Sequence, residues 1–202
     1  LTRIGAITSN VPHIFRDREM SYVLGFTEAK AIAIPAEFRG FDYRAMLAEL
    51  RPQLPNLKHI FVVGGEAPAG MLSYEEFIAT PWERRRERSV LAGLRPDANA
   101  VTQITFTSGT SGEPKGVMHT SNTLDVQNAS VVQALNLGER DVTFMASPIG
   151  HHTGFLFAVR QPIFIGAKVV YQDQWVPAEG LPLMAKEGAT FTASAATFLQ
   201  DL

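Results

Sequence analysis

The sequence predicts an α/β fold, a parallel or mixed sheet layered with helices. Short apolar runs of strand length recur along the chain, segments with helical spacing separate them, and glycine or proline closes most runs. Strand, helix, strand at this rhythm is the pattern of parallel strands joined by helical crossovers.

Taken in order, residues 17–26 place Met20, Val23 and Leu24 on one helical face. Residues 29–35 (AKAIAIP) read as a buried strand closed by proline. Tyr43, Met46, Leu47 and Leu50 recur at helical spacing until Pro52 stops the helix. Residues 58–63 (KHIFVV) form the next strand, ended by Gly64 and Gly65. Residues 64–99 are less regular and hold the run ERRRER at 83–88, whose interleaved glutamates mark a solvated surface rather than a nucleic-acid patch. A soft division is expected near Asp97, into a first α/β part at 1–97 and a second at 98–202.

The second part repeats the alternation. Residues 101–107 are a strand and 116–119 are extended. Thr120, Ser121 and Asn122 offer caps for a helix running to about Leu137, where Gly138 ends it. Residues 142–146 and 167–171 are further strands, and 195–202 open a helix.

Composition narrows the function classes. Hydrophobic residues at 46% and charged residues at 19% support a packed core rather than disorder. A net charge of −2 gives no reason to expect nucleic acid or an anionic membrane as partner. The absence of cysteine excludes disulfides, thiolate metal sites and a cysteine nucleophile, and it fits a reducing compartment such as the cytoplasm. Residues 142–159 lack formal charge, but Pro148, Gly150, His151, His152 and Gly154 interrupt them, so no transmembrane segment is expected. His13, His59 and His119 show no metal-ligand spacing and read as structural. The oligomeric state is not legible.

The chemistry concentrates in residues 107–116, TSGTSGEPKG. Glycines let successive N–H groups converge on an anion, hydroxyls add donors, and Lys115 adds a mobile positive charge. A strand leads into this turn, so it sits at a strand's carboxyl end, where sheet proteins commonly bind ligands. A Walker loop is excluded, because the fifth position after Gly109 is Pro114 and Gly116 follows the lysine. The Rossmann pattern fails as well, since Gly109 and Gly112 lack the preceding glycine. As a generic polar turn the stretch would serve equally as a hairpin loop.

The complete string resembles the signature loop of the adenylate-forming superfamily, which comprises acyl-CoA synthetases, adenylation domains and luciferases. The resemblance continues at Pro12, at Lys115-Gly116-Val117 followed by Thr120, and at residues 148–154 (PIGHHTG), where the family carries an aromatic residue or histidine three positions after the proline. That position is His151. Many relatives have histidine where this chain has Ser121. The wording of 29–65 and of GHHTGF is closest to bacterial acid–CoA ligases of the cyclohexanecarboxylate or medium-chain type.

The resemblance implies a central fragment of the large N-terminal domain, spanning residues 1–202. The Tyr-Gly-x-Thr-Glu and Thr-Gly-Asp segments and the small C-terminal domain of the family are not found in it. It implies ATP-dependent activation of a carboxylic acid to an acyl-adenylate, then thioester formation with CoA, and a fragment inactive alone. Ser108, Gly109, Thr110, Ser111 and Gly112 would hold the outer phosphates of ATP, Thr107 would approach Mg2+, and Lys115 would steady loop and phosphates. His151 would meet the substrate carboxylate or α-phosphate, with His152 the weaker candidate. Glu113 should face solvent, and Phe155 and Phe157 read as core packing, with the acyl-pocket wall as the alternative. An adenylation domain serving a carrier protein, a luciferase-like oxidase, and a non-catalytic nucleotide-binding module are the alternatives.

Overall fold

The computed structural model describes residues 1–85, 87–107 and 113–201, apart from the side chain of residue 199. The elements run β1 (Thr8–Asn10), α1 (Asp17–Phe26), β2 (Ala31–Pro35), β3 (Glu37–Phe38), β4 (Phe41–Asp42), α2 (Tyr43–Leu50), β5 (His59–Val63) and β6 (Leu72–Ser73). Next come α3 (Tyr74–Ala79), α4 (Ser89–Ala92), β7 (Val101–Thr107), β8 (Lys115–Thr120), α5 (Ser121–Leu135) and β9 (Val142–Met145). The last are α6 (His152–Phe155), a π-helical turn (Leu156–Arg160), α7 (Gln161–Ile165), β10 (Lys168–Tyr171), α8 (Pro177–Glu187), β11 (Phe191–Thr192) and α9 (Ala196–Gln200).

The chain forms two compact units, residues 14–94 with 108–114 and residues 1–13 with 95–107 and 115–202. A soft division was expected near residue 97; the boundaries between these two units fall at 13/14, 94/95, 107/108 and 114/115. Residues 1–13 go with the later unit because β1 pairs in parallel with β7.

In the unit centred on residues 14–94, β2, β5 and β6 form a parallel sheet in that order. Ile34, Ile60 and Val62 are buried from this sheet. Helix α2 packs on β2 and α1 packs on α2. The apolar face of α1 is Met20, Val23 and Leu24, and that of α2 is Tyr43, Met46, Leu47 and Leu50. These are the faces that the helical spacing marked. Full burial of a side chain such as Leu47 contributes about 1.5–3 kcal/mol. Asp42 starts α2 by accepting from the Arg44 and Ala45 amides at 2.8 and 3.2 Å. The helix tightens into a 3-10 turn at Arg51–Gln53, where Pro52 blocks its continuation.

The second unit holds two sheets, β1-β7-β8 and β10-β9-β11. Strand β7 is parallel to β1 and antiparallel to β8, while β10 and β11 both flank β9 in parallel. The fold is therefore mixed α/β, as the alternation required. Thr120 caps α5 by accepting from Thr123 N–H at 3.1 Å, and the Thr123 hydroxyl accepts in return from Thr120 N–H at 2.9 Å. The helix ends earlier than expected. Asn136 adopts the left-handed conformation at φ 51°, and Leu137 N–H closes the turn on Val132 C=O at 3.0 Å. Among the described residues no helix is long and apolar enough to cross a membrane.

Candidate functional site

Strands β7 and β8 form the two sides of a hairpin whose register runs to the pair Thr107↔Lys115. Both residues are exposed. The predicted phosphate-loop residues Ser108, Gly109, Thr110, Ser111 and Gly112, which connect them, lie outside the described residues. Period-two alternation puts Gln103, Thr105 and Thr107 on one face of β7, opposite His119, Val117 and Lys115 of β8. One side of the hairpin is therefore largely polar from its mouth to its base. Deeper along it, Gln103 is buried with neither amide atom hydrogen-bonded, and the buried Thr105 hydroxyl is likewise unpartnered. On the opposite face Gly116 pairs with Phe106; a Cβ there would come within 3.1 Å of Ile104 and 3.5 Å of the Phe106 ring. Glycine lets the buried ring cover the strand. Glu113 is exposed and pairs with Arg18 at 3.3 Å, a solvent-screened contact of little energetic weight.

The second component is the turn at residues 148–154. His151 N–H donates to Pro148 C=O at 2.9 Å and Phe155 N–H to His151 C=O at 3.0 Å. Two glycines fix its place by close approach. A Cβ on Gly150 would lie 2.7 Å from Pro12 Cα and from Val11 C=O, and one on Gly154 would lie 2.2 Å from Pro148 C=O. Only a residue without a side chain fits at either point. Pro12, the predicted turn proline, is thus part of the seat of this turn.

His151 caps α6, its Nδ1 accepting from Thr153 N–H at 3.3 Å. That contact requires a bare Nδ1, so the proton of the neutral ring sits on Nε2. The side chain is exposed, and it presents an N–H donor. His152 turns inward. Its Nε2 is 3.0 Å from Gln127 Oε1 on α5, and its ring stacks on His119 with centroids 4.7 Å apart and planes 8° from parallel. Burial lowers the His119 pKa. The His152 pKa is lowered by burial first, then by the neighbouring His119 and His151. Both rings are held neutral at neutral pH.

Thr107, Lys115 and His151 are accordingly all exposed, on β7, β8 and the turn at residues 148–154 of the same unit. His119 and Gln127 were not legible as parts of this region, because nothing in spacing ties a strand residue to a distant turn. Phe157 packs edge-to-face on Phe191, with ring centroids 6.0 Å apart. A separate groove of about 550 Å³ lies in the other unit, lined by His59, Phe61, Phe77 and Trp82 among others, and holds none of the predicted site residues.

The Thr107 hydroxyl and Lys115 ammonium suit an anion with several oxygens. They do not by themselves make a magnesium site, which takes six oxygen ligands. Among the described residues no group of three His, Asp or Glu could hold a metal.

The AMP-binding enzyme family matches along residues 1–202, and the chain belongs to that family. Over 201 residues it is 33% identical to the medium-chain fatty-acid–CoA ligase of Escherichia coli strain K12, covering 99% of this chain and 34% of that protein. The acetyl-coenzyme A synthetase of Bacillus subtilis strain 168 is 28% identical over 99% of this chain and 33% of its own length. The chain thus spans about a third of the curated relatives it matches. Among solved structures, the anthranilate CoA ligase AuaEII in complex with anthranoyl-AMP superposes with a TM-score of 0.82 at 23% identity, over 98% of this chain and 37% of that one. ATP-bound MatB from Rhodopseudomonas palustris gives 0.72 at 21% identity, over 97% and 35%. These likenesses show that the fold is that of the adenylate-forming enzymes.

Proposed function

We propose that this chain is the phosphate-loop portion of an AMP-forming acid–CoA ligase. The observation that carries the reading is the pairing of Thr107 with Lys115 across the mouth of TSGTSGEPKG, on the unit that also presents the His151 Nε2–H donor. The family membership and the named activities of the acid–CoA ligases it resembles support it.

In this reading a carboxylate oxygen attacks the α-phosphorus of ATP. The new O–P bond forms as the bond to pyrophosphate breaks, leaving an acyl-adenylate. The thiol of CoA then attacks the acyl carbon, forms the C–S bond and expels AMP. Backbone amides and hydroxyls of Ser108, Gly109, Thr110, Ser111 and Gly112 bind the outer phosphates, and Lys115 offsets their charge. The Thr107 hydroxyl faces the same phosphates and any magnesium carried on them. His151 donates to an oxygen of the carboxylate or of the α-phosphate and so sets the angle of attack, a positioning task. The medium-chain relative favours an aliphatic acid of intermediate length. Reaction with ATP and CoA fits a cytoplasmic protein.

The test is expression of the whole reading frame that contains this chain, with ATP, magnesium, CoA and a panel of carboxylic acids. Acid-dependent pyrophosphate release, then AMP and thioester, is the expected result. Adenylate formation with transfer only to a carrier protein would make it an adenylation domain, and ATP binding without pyrophosphate release would make it a non-catalytic module. In the complete protein, Lys115→Ala should weaken ATP binding about tenfold and Thr107→Ala should slow adenylate formation, both with the fold intact. The 202-residue chain alone should form no acyl-CoA.

A further inference from the structure

His119 and His152 connect the two components of the site. Lys115 and His119 stand on the same side of β8, one at the mouth of the hairpin and the other near its base. His119 is buried, and its ring carries that of His152 face to face at 4.7 Å. His152 is gripped again at its edge by Gln127 of α5, at 3.0 Å. It is also the chain neighbour of His151, the exposed donor. One imidazole therefore touches the strand that leads from Lys115, the helix that follows that strand, and the turn that presents His151.

The tautomer sharpens the arrangement. With Nε2–H donating to the Gln127 amide oxygen, Nδ1 of His152 carries the bare lone pair, and that atom is buried with no partner. A ring in this setting accepts a second proton only by creating a buried, unpaired N–H against another imidazole. The stack is a device for neutral rings. The other ionisable groups on the elements packed around it are few. They are His151 beside it, Lys115 at the far end of β8, and Asp125 of α5 paired at 2.5 Å with Arg160 of the π-helical turn. Strand β7 contributes none.

We propose that His152 is a positioning residue: its stack on His119 and its hydrogen bond to Gln127 hold the turn at residues 148–154, and with it His151, in register with the Thr107–Lys115 mouth. The inference rests on the reading of those three residues as the nucleotide and acid groups. It assigns work to a histidine that touches no substrate and to His119, which sequence alone marked as structural.

Two variants of the complete protein test it, using ATP and the acid most active in the panel above. His152→Asn removes the stacking face and, because its shorter amide ends near the Nδ1 position, the reach to Gln127 as well. It should lower kcat for pyrophosphate release about tenfold or more, with the KM for ATP changed less than about twofold, because misplacement costs rate while nucleotide contacts persist. His119→Phe preserves a stacking face without a titrating ring. It should keep kcat within about threefold and displace the acid limb of the kcat–pH profile, because one of the two coupled rings no longer titrates. An unchanged kcat in His152→Asn, a loss seen equally in the KM for ATP, or an unmoved acid limb in His119→Phe would overturn the proposal. Should His152→Asn fail to fold, the limb in His119→Phe decides.

If the wild-type protein releases no pyrophosphate with any acid, the ligase reading has failed, and ring-proton NMR with ATP alone tests the coupling. His151 resonances should then shift on ATP addition in the wild type and not in His152→Asn. A shift that persists in the variant overturns the positioning role, and no shift in the wild type overturns both readings.

Discussion

The imidazole of His152 lies parallel to that of His119, 4.7 Å away, and neither ring can charge without cost to the other. Desolvation lowers both pKa values from the ordinary histidine value of about 6.5. A depressed folded-state value means that the unfolded chain binds more protons in the interval between the folded value and about 6.5. Stability is full above that interval and declines as pH falls through it. Thermal unfolding of the chain from pH 8 to 5 should show a falling midpoint below about pH 6.5. The fall should be smaller in His119→Phe, where one titrating ring is gone. Superimposable pH curves for the two proteins would contradict the pair's role.

The turn that presents His151 is set by glycines, and these can be tested against one another. Gly154→Ala would drive a Cβ to 2.2 Å from a carbonyl oxygen, and Gly150→Ala to 2.7 Å from backbone of residues 11 and 12. Backbone cannot swing aside as a side chain does. Each substitution should cost about 3 kcal/mol or more, at the upper end of overpacking effects. Gly138→Ala is the control. No heavy atom lies within 4 Å of a Cβ there, and its φ is not left-handed. It should stabilise by about 0.5 kcal/mol through the unfolded state. Denaturant midpoints of the three variants check the order.

Those glycines also mark how far sequence could reach. Helices α1 and α2 were legible because burial imposes a period, and the period survives in Met20, Val23 and Leu24 and in Met46, Leu47 and Leu50. The β3–β4 hairpin was not. Its turn places Arg39 and Gly40 at φ 55° and 73°, and arginine is not a residue that announces a left-handed turn. Helix α3 was missed although its signal is present, since Ser73 caps Glu76 N–H at 3.2 Å in a Ser-x-x-Glu pattern. The phosphate loop was readable as chemistry, from hydroxyls, glycines and Lys115. The stack of His119 on His152 was not, because it is a tertiary contact with no local cause.

A second pH-dependent element lies in the other unit. Asp42 caps α2 through two amides and meets the Arg44 guanidinium at 2.9 Å. Its pKa is lowered to about 2, chiefly by the Arg44 side-chain hydrogen bond and then by the Ala45 amide. A depressed carboxylate contributes stability above its unfolded value, near 3.9, and loses it as pH falls toward 2. Asp42→Asn keeps a capping oxygen and removes the charge, so it should flatten the acid decline of the melting temperature. Asp42→Ala should lower the midpoint further at neutral pH, because the two α2 amides lose their acceptor. Circular dichroism melts between pH 5 and 2 separate the cases.

His151 combines two roles that one substitution can separate. Its Nδ1 accepts the Thr153 N–H and caps α6, while its exposed Nε2–H is the donor assigned to the acid or the α-phosphate. Asparagine is among the best capping residues, and its short side chain ends near the backbone. His151→Asn therefore preserves the cap and withdraws the donor. In the complete protein, kcat/KM for the acid should fall about tenfold with the melting temperature unchanged, the size expected for one hydrogen bond made in the transition state. His151→Ala should show the same loss of rate together with a lower melting temperature. If His151→Asn keeps full acid turnover and only His151→Ala is impaired, the residue is a helix cap and the donor to substrate lies elsewhere.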